Sequence, residues 1–525
     1  MAFPVFKPCN QHQMQLLPPS LDELIAPNAM VRVIDAMVEA MDRSLLESVY
    51  PGGGASAYDP AMMLKVVLLA YAQGIYSSRK IARATEENIA FMWLCGLKPL
   101  DHSTVNRFRT DRIRPIFEDI FYEVVAVLAE AGYVSLDTYF LDGTKIEANA
   151  NKYSFVWKKS CERYQEALRI KVAAHLRAID ELEEEEEALA PEDPKQVDSQ
   201  KISEAARKIN ERLKRKQQEG QDKDESAKEM KRFSRQAERD YLPRMESYEH
   251  KQEILGNRNS FSKTDTDATF MRMKDDPMQN GQLKAAYNIQ AGTENQYILG
   301  STVHQRPCDQ SCTIDHLEHL KEKLGHLPEN LVADAGYGSE EAYAWLEREG
   351  TNAYVQHNES FRETRKKWRE DPMRPANWTY LEEEDAYLCP EGRKLCFRWT
   401  SSKTSERGYV SESRIYLCED CAGCSRRALC MKSQDPKARR RLTVSPLWSQ
   451  FKKRASEMLH TEVGSCLRKR RKIDVETIFG DIKKNWGFNR FTLRGLEKVS
   501  HEWLLVACGH NLRKYYKAQL AEVPA

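Results

Sequence analysis

Three acidic residues in distant parts of the chain have settings suited to chemistry. They are Asp142 in Leu141-Asp-Gly-Thr-Lys-Ile146, Asp334 in Leu331-Val-Ala-Asp-Ala-Gly-Tyr-Gly338, and Glu476 in Val475-Glu-Thr-Ile-Phe-Gly-Asp-Ile-Lys-Lys484. Three carboxylates converging from separate segments can hold the paired magnesium ions that drive phosphoryl transfer on a nucleic-acid backbone. Alone, an aspartate after a strand or a glutamate on a helix is more often a cap or a surface group, so the inference depends on all three meeting.

The apolar pattern shows what must position them. Asp142 follows the apolar run 139–141 and Asp334 the run 331–333, each with a glycine close behind, Gly143 and Gly336. Each therefore reads as a carboxylate at the end of a buried strand. Glu476 differs: Val475, Ile478, Phe479, Ile482 and Trp486 recur at helical spacing, which predicts an amphipathic helix. Seven residues make nearly two turns, so Lys483 falls near the azimuth of Glu476 and an acid and a cation would line one face.

Between the aspartates, Tyr164, Leu168, Val172, Leu176, Ile179 and Leu182 follow helical spacing, as do apolar positions across 202–213 and 230–248. They predict a helical arm of two or three long helices with loops at 191–198 and 220–226. Strand character returns with 283–290 and 296–303, separated by 291–295, and Ile314, Leu317, Leu320 and Leu324 then predict a helix before the strand carrying Asp334. Asp265, Asp267 and Asp309 compete as the second acid, but none directly follows an apolar strand with a glycine behind it.

On these residues the sequence resembles a bacterial insertion-sequence transposase of the DDE class. The matching blocks are Asp142-Gly-Thr-Lys, Ala333-Asp-Ala-Gly-Tyr, Glu476 through Phe479-Gly-Asp-Ile-Lys-Lys, Phe488-Asn-Arg-Phe491, Arg494-Gly-Leu-Glu-Lys498 and Gly509-His-Asn-Leu-Arg-Lys514. The related signature has a Tyr and an Arg seven and four residues before the Glu, where this chain has Lys469 and Lys472. Lys472 keeps a charge for phosphate without the planar fork of arginine.

The resemblance implies an α/β fold with a ribonuclease H-like catalytic core, in which adjacent strands bring Asp142 and Asp334 together. It implies that Asp142, Asp334 and Glu476 hold two Mg2+ (or Mn2+) ions, that Lys483 and Lys472 meet phosphate charge, and that the chain cleaves transposon ends and transfers them to target DNA. The implied partners are double-stranded DNA, as terminal repeats and target, and further copies of the chain, at least a dimer on paired ends. The implied setting is the bacterial cytoplasm, at the nucleoid. Two alternatives stay open: a metal-dependent nuclease without strand transfer, and a domesticated DNA-binding regulator.

The remaining segments fit around that core. An all-α amino-terminal domain is expected over 1–130, with Asp59 and Pro60 opening a helix and short helices at 78–84, 86–95 and 103–112. The last three resemble a helix-turn-helix that would present Ser103, Thr104, Asn106, Arg107 and Arg109 to DNA; a purely structural bundle is the other reading. The expected order continues with core over 131–155, helical insertion over 156–256, core over 257–375, a small Cys-rich basic insertion over 376–445 and a helical end of the core over 446–525.

Six of the thirteen cysteines fall between Cys389 and Cys430, with spacing suited to tetrahedral zinc. Four must be chosen, and Cys389, Cys421, Cys424 and Cys430 are selected, against the alternative of reduced free thiols. The neighbouring basic residues, Arg426 through Arg441, form a stripe suited to DNA phosphate. Net charge is only +1 over 525 residues, because the acidic run 180–187 offsets basic clusters at 439–441, 452–454 and 468–472. No apolar stretch is long enough for a membrane span, and segment 1–10 lacks a signal-peptide core.

Overall fold

The computed structural model describes residues 20–50, 56–183, 188–218, 224–273, 281–435 and 437–522. Segment 1–10, and parts of the acidic run 180–187 and of the loop 220–226, lie outside them. The architecture is mixed α and β.

The amino-terminal region is helical, as its pattern predicts. Asp59 accepts the N–H groups of Ala61 and Met62 at 2.8 and 3.0 Å, and Pro60 occupies the first turn of helix Pro60–Ala72. This helix is buried almost all round, which explains its lack of a polar face. Helices Ser78–Glu87, Ile89–Leu94 and His102–Arg107 follow. The first runs to Glu87 rather than ending at 84, because Asn88 is the residue that opens the next helix by accepting the Ala90 N–H at 2.9 Å. Gly96, at φ 56°, and the Asp101 cap separate the last two.

The central sheet comprises β1 (Thr138–Glu147), β2 (Thr269–Arg272), β3 (Leu283–Glu294), β4 (Tyr297–His304), β5 (Asn330–Ala333) and β6 (Asn352–Val355). Its order is β2-β3-β1-β5-β6, with β4 also paired to β3. Strand β1 is antiparallel to β3 and parallel to β5, and β5 is parallel to β6. The β3–β4 hairpin differs from expectation: residues 291–294 continue the strand, and the reversal falls on Asn295 and Gln296, both left-handed at φ 51° and 64°. Two residues with positive φ form the tight turn whose twist matches a hairpin; the glycine at 292 marks an irregularity in register instead.

Helix Leu496–Glu522 joins the sheet to the amino-terminal helices. Every residue from Trp503 to Leu512 is buried, so its sequence carries almost no amphipathic signal. It crosses helix Pro60–Ala72 at Gly509, where a Cβ would come within 2.8 Å of the Tyr71 carbonyl carbon. Against the sheet, the Asn511 side chain accepts the Ile298 N–H and donates to the Ile298 carbonyl, both at 2.8 Å. Asp267, one of the rival acids, accepts the Leu496 N–H at 2.8 Å, and Asp265 accepts the Tyr287 hydroxyl at 2.9 Å and the Gly495 N–H at 3.2 Å. Both serve the start of this helix.

The insertion forms helices Lys158–Asp180, Ser199–Gln218, Glu225–Gln236 and Leu242–Leu255, with an apolar core of its own around Val172, Ile209, Met230 and Phe233. It rises from a two-stranded ladder of Phe155–Trp157 with Ser260–Ser262. Residues 379–444 form a five-stranded antiparallel sheet that the sequence pattern did not reveal. Its two longest strands, Lys394–Thr404 and Val410–Cys418, have few buried positions, and a small cluster around Trp378, Leu395, Tyr416 and Leu442 is their core. Among the described residues no helix is long and apolar enough to cross a membrane.

Two buried histidines on helix Leu496–Glu522 give the fold a pH dependence. His501 donates to the Arg109 carbonyl at 2.7 Å and His510 to the Gln296 carbonyl at 3.0 Å. Burial pushes both imidazoles down to about 4. Each protonates near 6.5 in the unfolded chain, so the unfolded state binds more protons below that value. Their contribution is fully present above pH 6.5 and is lost as pH falls towards 4, by up to about 3 kcal/mol each. Urea unfolding at a series of pH values should show the midpoint falling through this window, and replacing His510 by a non-titrating residue should flatten the fall.

Candidate active site

The sheet register sets the two aspartates side by side. Leu141 of β1 lies opposite Ala333 of β5 in the parallel ladder, and Asp142 and Asp334 are the next residue of each chain. Asp142 is buried, 7% exposed, and its Oδ1 accepts the Gly143 N–H at 2.8 Å. Asp334 leaves the strand and closes a turn, with Oδ1 accepting the Gly336 N–H at 2.7 Å. Gly143 is required by close approach: a Cβ there would meet Gln290 Nε2 at 2.7 Å, Asp309 Oδ1 at 2.8 Å and the Tyr337 hydroxyl at 2.9 Å.

Those three side chains form a polar floor behind the aspartates. Asp309 Oδ1 accepts Asn288 Nδ2 at 2.8 Å and Gln290 Nε2 at 3.0 Å, and the Tyr337 hydroxyl donates to Gln290 Oε1. Tyr337 stays neutral, because burial first, and then the charges of Asp142, Asp309 and Asp334, hold its hydroxyl well above the usual range. Asp309, ranked behind Asp334 from sequence, is held in this floor, half-buried, with its Oδ1 against Gly143 and its Oδ2 near Gly336.

Glu476 arrives from the other side. Helix Glu462–Asp474 ends at Asp474, and residues 476–480 form a further helical turn that continues into a wider π-helical turn over 481–485. Ile478, Phe479 and Ile482 are buried, and the Phe479 and Trp503 rings lie 6.4 Å apart. The opposite side of this segment faces a cleft of about 310 Å³. Its lining includes Asp142, Asp334, Glu476, Arg471, Lys483 and Lys484. The three acids picked out in the sequence thus share one cleft.

Arg471 is the residue that sequence reading missed. Its guanidinium stands between two of the acids, with Nη2 2.8 Å from Glu476 Oε1 and Nη1 3.9 Å from Asp142 Oδ2. Nη1 is buried and has no hydrogen-bond partner among the described residues. Lys472, by contrast, is exposed and lines a neighbouring cleft of about 440 Å³ with Arg468, Lys469 and Gln356. One residue turns a helix by about 100°, so a cation at 471 faces the acids and one at 472 does not. The signal was a run of basic residues with no register mark.

The donor set suits a hard divalent cation, since three carboxylates offer oxygen ligands and the cleft already draws a cation between two of them. Among the described residues, no three Cys, His, Asp or Glu side chains stand close enough to hold a metal ion. The acids would have to close on the ion, with Arg471 giving way. The same finding bears on zinc. Burial raises the Cys430 thiol, with Cys421, Cys389 and Cys424 near enough to add to the rise, and Cys421 Sγ accepts the Arg440 N–H at 3.3 Å. The four thiols gather at one end of the small sheet without forming a ready zinc site.

The helix-turn-helix residues divide. Ser103, Asn106 and Arg107 are exposed and Thr104 is half-buried. Ser103 is engaged by its own cap, its hydroxyl and N–H both donating to Asp101. Arg109 is 3% exposed and donates to the Tyr71 hydroxyl at 3.0 Å and the Tyr76 carbonyl at 2.6 Å. It ties helices together and is withdrawn from the DNA-facing set, because a buried guanidinium engaged in this way has no reach to a groove.

Comparison with known proteins gives two matches. Residues 388–516 match the family model described as a transposase DDE domain, and residues 19–111 match that of a transposase domain, DUF772. The first includes Glu476, Arg471, Lys483 and most of the small sheet; Asp142 and Asp334 lie upstream of it. No curated protein matches the chain. Transposase models are thus matched near both ends of the chain, and together they support an insertion-sequence DDE transposase.

Proposed function

We propose that the chain cleaves DNA at the ends of its insertion sequence and joins them to target DNA, with Asp142, Asp334 and Glu476 as the catalytic acids of a ribonuclease H-like core. The observation carrying this reading is that three carboxylates from β1, β5 and a distant helical turn line one cleft with cations beside them. The strand arrangement supports it: an antiparallel β1, β3, β4 set is extended beyond β1 by parallel β5 and β6. That is the order expected of such a core, with the aspartates at adjacent strand ends.

Bound between the three acids, two divalent magnesium or manganese ions would supply Lewis-acid activation of the attacking oxygen and stabilisation of the leaving one. The chain's own residues do the rest. Asp142 is held on its buried strand and Asp334 by its turn, their Oδ1 atoms accepting the Gly143 and Gly336 N–H groups. Arg471 turns its planar fork from Glu476 towards a phosphate oxygen, a geometry suited to bidentate contact. Lys483 and Lys484 add positive charge to the same cleft. The exposed Ser103, Asn106 and Arg107 are proposed to touch DNA outside the cleft, and paired ends would require at least two copies of the chain.

The test uses a labelled duplex carrying a candidate terminal repeat, with magnesium or with chelator, resolving both nicked and joined products. The wild type should give metal-dependent joining. Glu476→Gln should reduce it by more than the roughly 10- to 100-fold typical of a lost outer-shell partner. Cleavage without joining would establish the nuclease instead, and binding without either would favour the regulator.

A second expectation concerns the cations. Arg471→Ala should lower cleavage by about 100-fold, the lower end of the range for loss of a charge-stabilising donor, and should reduce the magnesium needed for half-maximal activity. Lys472→Ala should stay within about threefold of wild type, as a surface cation away from the acids does. Equal losses from the two variants would contradict the assignment of Arg471 to the cleft.

A further inference from the structure

On the far side of the Glu476 segment lies a larger groove of about 720 Å³, between residues 477–486 and helix Leu496–Glu522. Its lining includes four cations, Lys484, Arg513, Lys514 and Lys517, against one carboxylate, Asp481. Lys514 is taken up by Gln296, donating to Oε1 at 3.0 Å. Lys484, Arg513 and Lys517 form no ion pair among the described residues. Arg513 lies over the Trp486 ring at 5.2 Å, and the buried Trp486 indole N–H has no hydrogen-bond partner among the described residues. Burial, together with the nearby charge of Lys517, depresses the Lys514 ammonium, while Asp474 opposes the fall. Positive charge is concentrated here beyond what the protein neutralises.

Gly480 is a second and independent observation. It lines both this groove and the cleft holding the three acids, as does Lys484, so the two adjoin at these residues. Its backbone is ordinary right-handed helix, at φ −63°, and a Cβ there would meet nothing within 4 Å. Neither conformation nor packing requires a glycine, and glycine weakens a helix relative to alanine. The remaining physical reason for one is close approach of something outside the chain to the backbone.

We propose that this groove is a second DNA-backbone site: the strand whose reacting phosphate lies among the acids passes over Gly480 and is held by Lys484, Arg513 and Lys517. The inference rests on the DNA-processing reading above and adds to it the path of the substrate. Arg513 and Lys517, four residues apart on one helix face, meet successive phosphates, and the Trp486 N–H offers a neutral donor at the groove wall. Contact through phosphates makes this site indifferent to base sequence.

The experiment measures binding of a candidate terminal-repeat duplex and of a random duplex to the full chain in chelator, over a range of salt concentrations, and cleavage of the terminal-repeat duplex in magnesium. It compares wild type, Gly480→Ala and the double variant Arg513→Gln/Lys517→Gln. Each lost phosphate contact removes roughly 0.9 from the slope of log affinity against log salt, so the double variant should lose about 1.8 on both duplexes. Gly480→Ala should melt no lower than wild type, yet bind and cleave DNA at least about tenfold more weakly, as a misplacement near the reacting centre does.

Variants that bind and cut like wild type with unchanged slopes would overturn this inference and leave the proposed function standing. A wild type that neither binds nor cuts DNA would overturn both. Normal DNA binding with altered sedimentation of the double variant would show that the groove receives an acidic segment of a second copy, against the proposal.

Discussion

The placement of Glu476 depends on Gln296, a residue with no chemistry of its own. Its left-handed backbone completes the β3–β4 turn, and its polar atoms tie three elements together. The backbone N–H donates to Asp474 Oδ1 at 2.6 Å, and the side-chain amide donates to the Ile473 carbonyl at 3.0 Å. Its carbonyl accepts from His510, and its Oε1 accepts from Lys514 at 3.0 Å. Residues 473 and 474 stand two or three positions before Glu476, so the hairpin tip fixes where the third acid begins. Burial raises the Asp474 carboxyl, and the Gln296 N–H and Arg470 pull it back, an arrangement stable only while both elements stay docked. Asp142 and Asp334 are set by the β1–β5 register, and Gln296 brings the third acid to them.

Bringing three carboxylates into one cleft sets up a repulsion that the rest of the site answers. Arg471 lies between Asp142 and Glu476, and Lys483 and Lys484 line the same cleft. Behind the aspartates, the floor is built from amides and a phenol, Asn288, Gln290 and Tyr337, which support Asp309 without adding cations. The positive charge beside the acids comes instead from the helical segment, with Arg471, Lys483 and Lys484 lining the cleft itself.

What the sequence disclosed follows from how each signal arises. The strand ends at Asp142 and Asp334 were legible because a buried run followed by an acid and a glycine is a local pattern, and the helices of the insertion because their apolar residues repeat along one face. Helix Leu496–Glu522 was legible only as matching motifs, since burial on all sides removes periodicity. The 379–444 sheet stayed hidden because its long strands bury too little to alternate. Gln296 and Arg471 could not be found: one acts through backbone conformation and contacts about 180 residues away in sequence, and the other differs from its basic neighbours only in azimuth. Arg109 shows the converse error, a cation that sequence assigns to DNA and the fold spends on Tyr71 and Tyr76.

The wide turn over 481–485 has a consequence for the cations. An uninterrupted α-helix from Glu476 would return to the same azimuth at residue 483, leaving 484 about 100° away. Here the Trp486 N–H reaches back five residues to the Asp481 carbonyl at 3.1 Å, and a five-residue turn advances each side chain by a smaller angle. Lys484 consequently lies on the rim shared by the acid cleft and the basic groove, while Lys483 lines the acid cleft alone. The same turn carries Trp486 onto His510, with ring centroids 5.8 Å apart, so the anchor of the segment and the spread of its cations come from one irregularity. Straightening it would turn Lys484 by several tens of degrees, away from the rim that it shares with Gly480.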